Sequence, residues 1–132
     1  MRPWCYLMAG TFLGSLLTAG ANAVPSATHS VQDPVKQSPE YYTVLLENDE
    51  VRVLEYRLRP GQKEPMHSHT SGVVYTFSDG KIRTTLADGT TTESVLKARE
   101  AIWRTPVTHA LENIGETDVH ALALELKRPS KP

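Results

Sequence analysis

Two histidines one residue apart, His67 and His69, are the side chains of this chain best suited to metal chemistry. In a β-strand, residues two apart point to the same side, so the pair presents two imidazoles on one face. Such a pair is common by chance, and a metal site needs a third ligand. His109, forty residues downstream, is the first candidate because a neighbouring strand would bring it alongside.

The other histidines are weaker candidates. His120 begins the alternating run VHALALEL and shares parity with its leucines, which favours a hydrogen-bonded core residue; a role behind a metal ligand stays open. His29 lies in a Pro- and Ser-rich segment that is typical of a solvated loop. The only cysteine, Cys5, is close to the N-terminus, so we expect neither a thiolate ligand nor a cysteine nucleophile in the folded domain.

The elements that must position these histidines are short β-type runs separated by turn signals. The polar segment ENDE and the pairs Asp79-Gly80 and Asp88-Gly89 predict hairpin turns between such runs. Turns every 8–12 residues predict an all-β, antiparallel sandwich or barrel. The predicted strands are 41–46, 51–58, 72–77, 81–86, 91–97, 101–103, 109–113 and 119–126.

The N-terminus has the pattern of a secretory signal peptide. Arg2 precedes an apolar run, and Ala21-Asn22-Ala23 is typical of a cleavage site. The apolar run is shorter than the roughly 20 residues of a comfortable membrane span, although an uncleaved anchor remains an alternative. We therefore expect a periplasmic or secreted protein with no stable membrane span after cleavage. The expected divisions are a signal peptide at 1–23, a flexible lead-in at 24–40, a domain at 41–127 and a tail at 128–132.

The charge balance excludes some classes of partner. Fourteen Lys and Arg stand against fifteen Asp and Glu, for a net charge of −1, and the basic residues are not gathered into one block. Nucleic-acid binding needs a basic patch or stripe, so we expect no nucleic-acid partner. The expected partner is a small-molecule ligand or substrate.

Two segments resemble the motifs of the cupin superfamily. The segment Gly61-x5-His67-x-His69-x3-Val73-x6-Gly80 is similar to the first motif, Gly-x5-His-x-His-x3,4-Glu-x6-Gly, with only the glutamate position different. The segment Glu100-x5-Pro106-x2-His109-x3-Asn113 is similar to the second motif, with Glu at the first glycine and a shorter spacing before the histidine. The runs GQKEPMHSH, TFSDGKIRTTLADG and PVTHALENIG resemble small single-domain bacterial cupins, and the likeness covers most of residues 41–127.

The resemblance implies a cupin double-stranded β-helix, an antiparallel jelly-roll barrel, with a metal ion held by His67, His69 and His109. The ligand glutamate has no counterpart, because Val73 stands at its position and Val74 follows. A divalent ion held by three neutral imidazoles keeps its full charge and open coordination positions. Cupins that resemble cysteine and diketone dioxygenases hold ferrous iron this way, so Fe(II) is favoured, with Ni, Cu or Zn as alternatives. Glu64 is a candidate substitute carboxylate.

Strand alternation continued from His69 predicts that Val73 and Tyr75 line a pocket and pair with the strand of Ile82, while Trp103 forms part of its wall. The predicted interior is apolar and suits a small, largely uncharged or metal-chelating molecule. Arg83 and Arg104 are the candidates for anchoring a carboxylate, and alternation turns Arg83 outward.

Two functions follow as hypotheses. The first is a metal-dependent, dioxygenase-like enzyme acting on a small molecule, and the second is a non-catalytic extracytoplasmic module that binds a small ligand or a metal. The resemblance also implies a homodimer, with residues 41–46 as a candidate edge strand that needs cover.

Overall fold

The computed structural model describes residues 32–127. The predicted signal peptide at 1–23, the first part of the lead-in and the tail at 128–132 lie outside the described residues. In the described part, no helix is long and apolar enough to cross a membrane.

Nine strands form two sheets in which every pairing is antiparallel. One sheet has the order β1-β2-β9-β4-β7 and the other has the order β3-β8-β5-β6. The predicted all-β antiparallel architecture is confirmed. The strands are β1 Tyr42–Glu47, β2 Val51–Leu58, β3 Lys63–His69, β4 Gly72–Thr76, β5 Gly80–Leu86, β6 Thr91–Leu96, β7 Ala101–Arg104, β8 Val107–Asn113 and β9 Val119–Leu126.

Strand β3 carries His67 and His69 and is missing from the predicted series, since Pro65 and four charged or imidazole side chains hide its β character. It pairs with β8 alone, which places it at an edge of its sheet, where a proline is tolerated. The strand that carries two of the three candidate metal ligands therefore has a composition that does not resemble a strand.

Two of the three predicted hairpins are present. Between β1 and β2, the Asn48 side chain accepts hydrogen bonds from the backbone N–H groups of Glu50 and Val51, both at 2.8 Å. Between β5 and β6, Gly89 has a φ of +86°, a left-handed conformation that favours glycine. Asp79-Gly80 was wrongly predicted to close a hairpin, because β4 and β5 lie in different sheets. An Asp-Gly pair predicts that the chain turns, but it does not predict which strand pairs with the one that follows.

The last part of the predicted lead-in is ordered, which corrects the expectation of a flexible segment up to residue 40. Asp33 caps a short helix, α1 (Pro34–Gln37), and its side chain accepts from the Val35 N–H at 3.0 Å. Pro34 and Ser38 are fully buried. The carbonyl of Gln32 accepts from the Ser68 N–H at 2.7 Å, which ties this segment to the histidine strand.

The core lies on the inner face of the first sheet. In β9 the buried positions are Val119, Ala121, Ala123 and Glu125, while His120 and the three leucines take the other face. The expectation that His120 packs in the core is therefore wrong: its Nε2 contacts Glu55 Oε1 at 2.7 Å on the outer face. The two small alanines on the inner face leave open space between the sheets.

Candidate metal centre and ligand cavity

The pairing of β3 with β8 assembles the three histidines. His67 and His109 are directly opposite each other in the register, and His69 lies two residues along the same strand. The centroid of the His67 ring is 4.7 Å from those of both His69 and His109. One ligand nitrogen from each histidine lies within 4.8 Å of the others. The structure thus brings together the three residues that the sequence predicts as ligands.

The Nδ1 atoms of two rings are held from behind. Nδ1 of His67 donates to the Pro65 carbonyl at 2.8 Å, and Nδ1 of His69 donates to Glu125 Oε1 at 2.5 Å. A carbonyl or an ionised carboxylate can only accept, so each Nδ1 carries the proton. In the neutral rings, the lone pair is therefore on Nε2, the atom available to a metal ion.

The Nε2 atom of His67 meets that of His69, and the hydroxyl of Tyr42 lies 3.5 Å from the His67 atom. The two Nε2 atoms are 3.0 Å apart, so two lone pairs meet unless a cation lies between them. The buried Nε2 of His109 has no hydrogen-bond partner among residues 32–127. This donor set fits a divalent transition metal, because a bound ion would accept all three lone pairs.

Burial keeps the cluster in the neutral form that binds metals. Desolvation is the largest cause of a lowered pKa at each ring, and it lowers the pKa of His67 to about 4 and that of His109 to about 3. It also lowers the pKa of His69, although the hydrogen bond with Glu125 acts in the opposite direction. At pH 7 no proton has to leave before an ion binds.

Glu64 does not occupy the place of a fourth ligand. Its Oε1 lies 3.3 Å from Nδ1 of His67, on the side of the ring away from the Nε2 cluster. The carboxyl is fully buried, and its two oxygens and the Ser38 and Tyr56 hydroxyls lack partners of hydrogen-bond geometry within the described residues. Desolvation raises the pKa of Glu64 to about 7, against the lowering effect of the nearby Tyr56, Tyr42 and Ser38 hydroxyls. Glu64 therefore supports His67 from behind.

Glu125 is the functional residue that the sequence reasoning missed. Its Oε2 accepts from Arg52 Nε at 2.9 Å and from Arg52 Nη2 at 2.7 Å, while its Oε1 also contacts Arg104 Nη2 at 3.3 Å. Burial alone would raise the pKa of Glu125, but the hydrogen bonds from His69 and Arg52 hold it below its ordinary value. A charged residue in register with the alanines of VHALALEL was the available signal.

A cavity of about 370 Å³ adjoins the cluster and has His69 and His109 in its wall. Most of the wall is apolar, with side chains such as Val74, Ile82 and Leu111. Trp103 lines it as predicted for the pocket wall, and 58% of its surface is exposed, which places it at the rim. The hydroxyl of Tyr42 is 3.5 Å from Nε2 of His67, where the cavity meets the cluster.

The predicted alternation of β4 is corrected by the structure. Val74 and Thr76 line the cavity, whereas Val73 and Tyr75 are not among its lining residues. The parity fails because β3 and β4 lie in different sheets, so alternation does not carry through the link between them. Nor does β4 pair with the strand of Ile82; its neighbours are β7 and β9.

The close approach of β4 to β9 also explains Gly72. A Cβ at this position would lie 1.8 Å from the Leu124 carbonyl oxygen, so no side chain fits. Within β4, the first side chain that faces the cavity is that of Val74. A carboxylate ligand is therefore absent both at Val73, which matches the motif position, and at Val74.

The remaining motif residues have structural roles. Asn113 is fully buried, and its Nδ2 donates to the carbonyls of Leu58 and Thr117, both at 2.8 Å. Gly61 has a φ of +77°, and its N–H donates to the Asn113 carbonyl at 2.9 Å. These contacts fasten the ends of β2, β3 and β8 and so hold the histidine strands in register.

Comparisons with known proteins identify the fold. No family model and no curated protein matches the chain. A crystal structure of a cupin domain from Bordetella pertussis Tohama I is 27% identical, with a TM-score of 0.61, and covers 66% of this chain and 92% of its own. An RmlC-like cupin family protein with a double-stranded β-helix fold from Methanocaldococcus jannaschii is 18% identical, with a TM-score of 0.51, and covers 64% of this chain and 77% of its own.

A third similar structure is a cupin superfamily protein from Desulfitobacterium hafniense, 15% identical, with a TM-score of 0.51, which covers 66% of this chain and 76% of its own. The described part of this chain therefore has the cupin fold, a double-stranded β-helix, with a cluster of three histidines that could bind a metal ion.

Proposed function

We propose that this protein is a metal-dependent enzyme of the dioxygenase type, in which His67, His69 and His109 hold one divalent transition metal beside a small-molecule cavity. The observation that carries the proposal is the buried Nε2 of His109, which has no hydrogen-bond partner within residues 32–127 and belongs to a ring packed against those of His67 and His69, whose protons are fixed on Nδ1. Fe(II) is the favoured metal, and Ni, Cu and Zn are the alternatives that imidazole ligands also suit. When bound, the metal would supply Lewis acidity and a coordination position for dioxygen.

The protein's own residues prepare the site for such chemistry. Pro65 and Glu125 orient two imidazoles, and the cavity beside the cluster has a mostly apolar wall. The hydroxyl of Tyr42 keeps its proton at neutral pH, because desolvation raises the pKa of this phenol well above its ordinary value. A neutral phenol 3.5 Å from a ligand nitrogen can donate a hydrogen bond to a group bound beside it.

A non-catalytic binding module is the second candidate, and one feature of the cavity fits it as well as it fits the enzyme. The lining includes no aspartate or glutamate among the described residues, so a carboxylate general base is lacking. Reactions of dioxygen with a chelated substrate need no such base, and neither does binding alone. Turnover is what separates the two candidates.

The experiment compares iron-loaded and zinc-loaded protein in an oxygen electrode with a panel of diketones, thiols and flavonoids. The enzyme proposal expects substrate-dependent oxygen uptake with iron and none with zinc, because zinc has no redox chemistry. His120→Ala is the matched control, since its ring lies on the outer face, and it should keep full activity. Full occupancy by iron without uptake for any substrate would leave the binding module as the better account.

Export and self-association are further parts of the proposal. The signal-peptide pattern of residues 1–23 supports a periplasmic or secreted location, which fractionation of cells expressing the whole chain would test. A homodimer is supported by strand β1, which pairs with β2 alone and exposes Val44, Leu45 and Leu46. Sedimentation of the purified protein should give the mass of two chains, and a single-chain mass would exclude the dimer.

A further inference from the structure

Arg104 lies in the wall of the cavity, close to the histidine cluster. It is the last residue of β7, and only 14% of its side chain is exposed. Its Nη2 shares Glu125 Oε1 with Nδ1 of His69, so one carboxylate oxygen connects the guanidinium to a metal-ligand ring. A buried cation at this position needs an explanation, because a charge without partners is costly in the interior.

Arg52 binds the same carboxylate and makes more hydrogen bonds than Arg104 does. Its side chain is 15% exposed, almost the same as that of Arg104, and it makes three hydrogen bonds of 2.7–2.9 Å, two to Glu125 and one to Asp33. Arg104 makes one, at 3.3 Å, and its buried Nε has no partner within residues 32–127. The two arginine side chains are thus exposed to nearly the same extent, but Arg52 makes three hydrogen bonds and Arg104 makes one.

Glu125 cannot supply what Arg104 lacks. An ionised carboxylate has about four acceptor positions. Arg52 takes two of them at Oε2, and His69 and Arg104 take one each at Oε1. Glu125 therefore has no acceptor position left for Arg104, and the cavity that Arg104 lines is the space from which a ligand can reach its guanidinium.

The rest of the cavity defines the other part of that ligand. The wall of the cavity is built mainly of aliphatic and aromatic side chains, including Ile102, Val107 and Val119. The volume of about 370 Å³ is more than twice the roughly 150 Å³ that holds benzene in an engineered protein cavity. There is room for a body of aromatic-ring size with a short polar extension.

We propose that Arg104 binds the carboxylate of a small molecule whose apolar body fills this cavity beside the histidine cluster. The proposal deepens the proposed function, on which it rests for the identity of the site, by naming the substrate class as an apolar monocarboxylate. It develops the sequence-based suggestion that Arg104 or Arg83 could anchor a carboxylate, and it narrows the expectation of a largely uncharged or metal-chelating molecule. Guanidinium and carboxylate match as a planar pair, which gives the ligand a fixed orientation towards His69 and His109.

Trp103 at the rim of the cavity makes binding measurable. The chain has two tryptophans, Trp4 and Trp103, so Trp4→Phe leaves Trp103 as the only tryptophan emitter. In this background, zinc-loaded protein is titrated with phenylacetate, with its neutral isostere phenylacetamide and with 2-phenylethanol. We expect phenylacetate to bind at least about tenfold more tightly than either neutral probe, as one charge-assisted hydrogen bond would give. Equal affinities, or no binding of any probe at millimolar concentration, would overturn the proposal without relying on a variant.

Variants then locate the anion. Arg104→Gln should abolish the preference for phenylacetate, and Arg104→Lys, which keeps the charge without the fork, should retain part of it. Arg83→Gln is the matched control, because Arg83 pairs with Glu93 and Glu112 on the opposite sheet, and it should keep the full preference. Thermal unfolding confirms that each variant is folded. A folded Arg104→Gln protein that still prefers the acid would overturn the assignment.

Metal removal separates this proposal from the proposed function. The preference should persist after EDTA treatment, since Arg104 and not the ion provides it. A preference that survives in Arg104→Gln and disappears with EDTA would place the carboxylate on the metal and overturn the proposal. Zinc binding without a preference for the acid would support the metal site and contradict the proposed substrate class. A preference for the acid without metal binding would support the role of Arg104 and contradict the metal site.

Discussion

The two faces of the histidine cluster differ in how far the protein itself satisfies them. On the Nδ1 face, His67 and His69 are bonded to Pro65 and Glu125 at 2.8 and 2.5 Å. On the Nε2 face, two lone pairs meet at 3.0 Å and the Nε2 of His109 has no partner within the described residues. Buried polar atoms are almost always paired, so the contrast separates a face that holds the rings from a face that could bind a metal ion.

Removing one of the Nε2 atoms should have the largest effect on metal affinity. We expect His109→Ala to weaken zinc binding by more than about 100-fold, because loss of a residue behind a ligand already costs 10–100-fold. Competition with a chromophoric chelator measures the affinity, and His120→Ala serves as the control with unchanged binding. An affinity within a few-fold of the unmodified protein would remove His109 from the site.

Breaking the opposite face should reduce both metal affinity and stability. Glu125→Gln deprives two buried arginines of their carboxylate, and we expect a loss of about 3–5 kcal/mol in the free energy of unfolding. Zinc affinity should fall by about 10–100-fold as His69 loses its charged partner. Denaturant unfolding and zinc titration check the two effects.

An exposed glutamate, Glu93, provides the comparison for the Glu125→Gln prediction. Glu93 forms ion pairs with Lys81 and Arg83 at the surface, where solvent screens the charges, so Glu93→Gln should reduce the free energy of unfolding far less than Glu125→Gln does. The same substitution is thus compared in a buried and an exposed setting. Similar losses at the two positions would contradict the central place given to Glu125.

The pH dependence of the metal-free protein should reveal the buried imidazoles. The folded pKa values of about 4 for His67 and about 3 for His109 lie below the ordinary 6.5, so the unfolded chain binds the additional protons between these values. The free energy of unfolding should therefore fall as the pH drops from about 6.5 to 5, by about 1.4 kcal/mol per pH unit for each histidine. Denaturant unfolding at several pH values measures the slope. His109→Ala should lose one histidine's share of it, and His120→Ala serves as the comparison.

Glu64 should give the smallest effect and has the opposite sign. Its pKa of about 7 in the folded protein exceeds the ordinary 4.5, so its contribution to stability is present below 4.5 and is lost as the pH rises through 7. Glu64→Gln removes this opposing contribution, and the fall in stability between pH 6.5 and 5 should become steeper. An unchanged slope would show that Glu64 is ionised throughout this range.

The parts of the site that could be predicted from the sequence are those fixed by local spacing. His67 and His69 share a face because they are two residues apart in one strand, and the resemblance of the second motif indicated His109. The cavity side of β4 could not be predicted, because it depends on the passage from one sheet to the other before Gly72. The inner face of β9, and with it Glu125, is decided by pairing with β2 and β4, which lie far away in the chain.

The most direct test of the central claim is elemental analysis of the untagged protein purified without added metal. The account predicts one transition-metal ion per chain in the unmodified protein and none in a folded variant with His67, His69 and His109 all changed to alanine. Undiminished metal content in that triple variant, or a metal-free native protein that also fails to bind added iron or zinc, would contradict it.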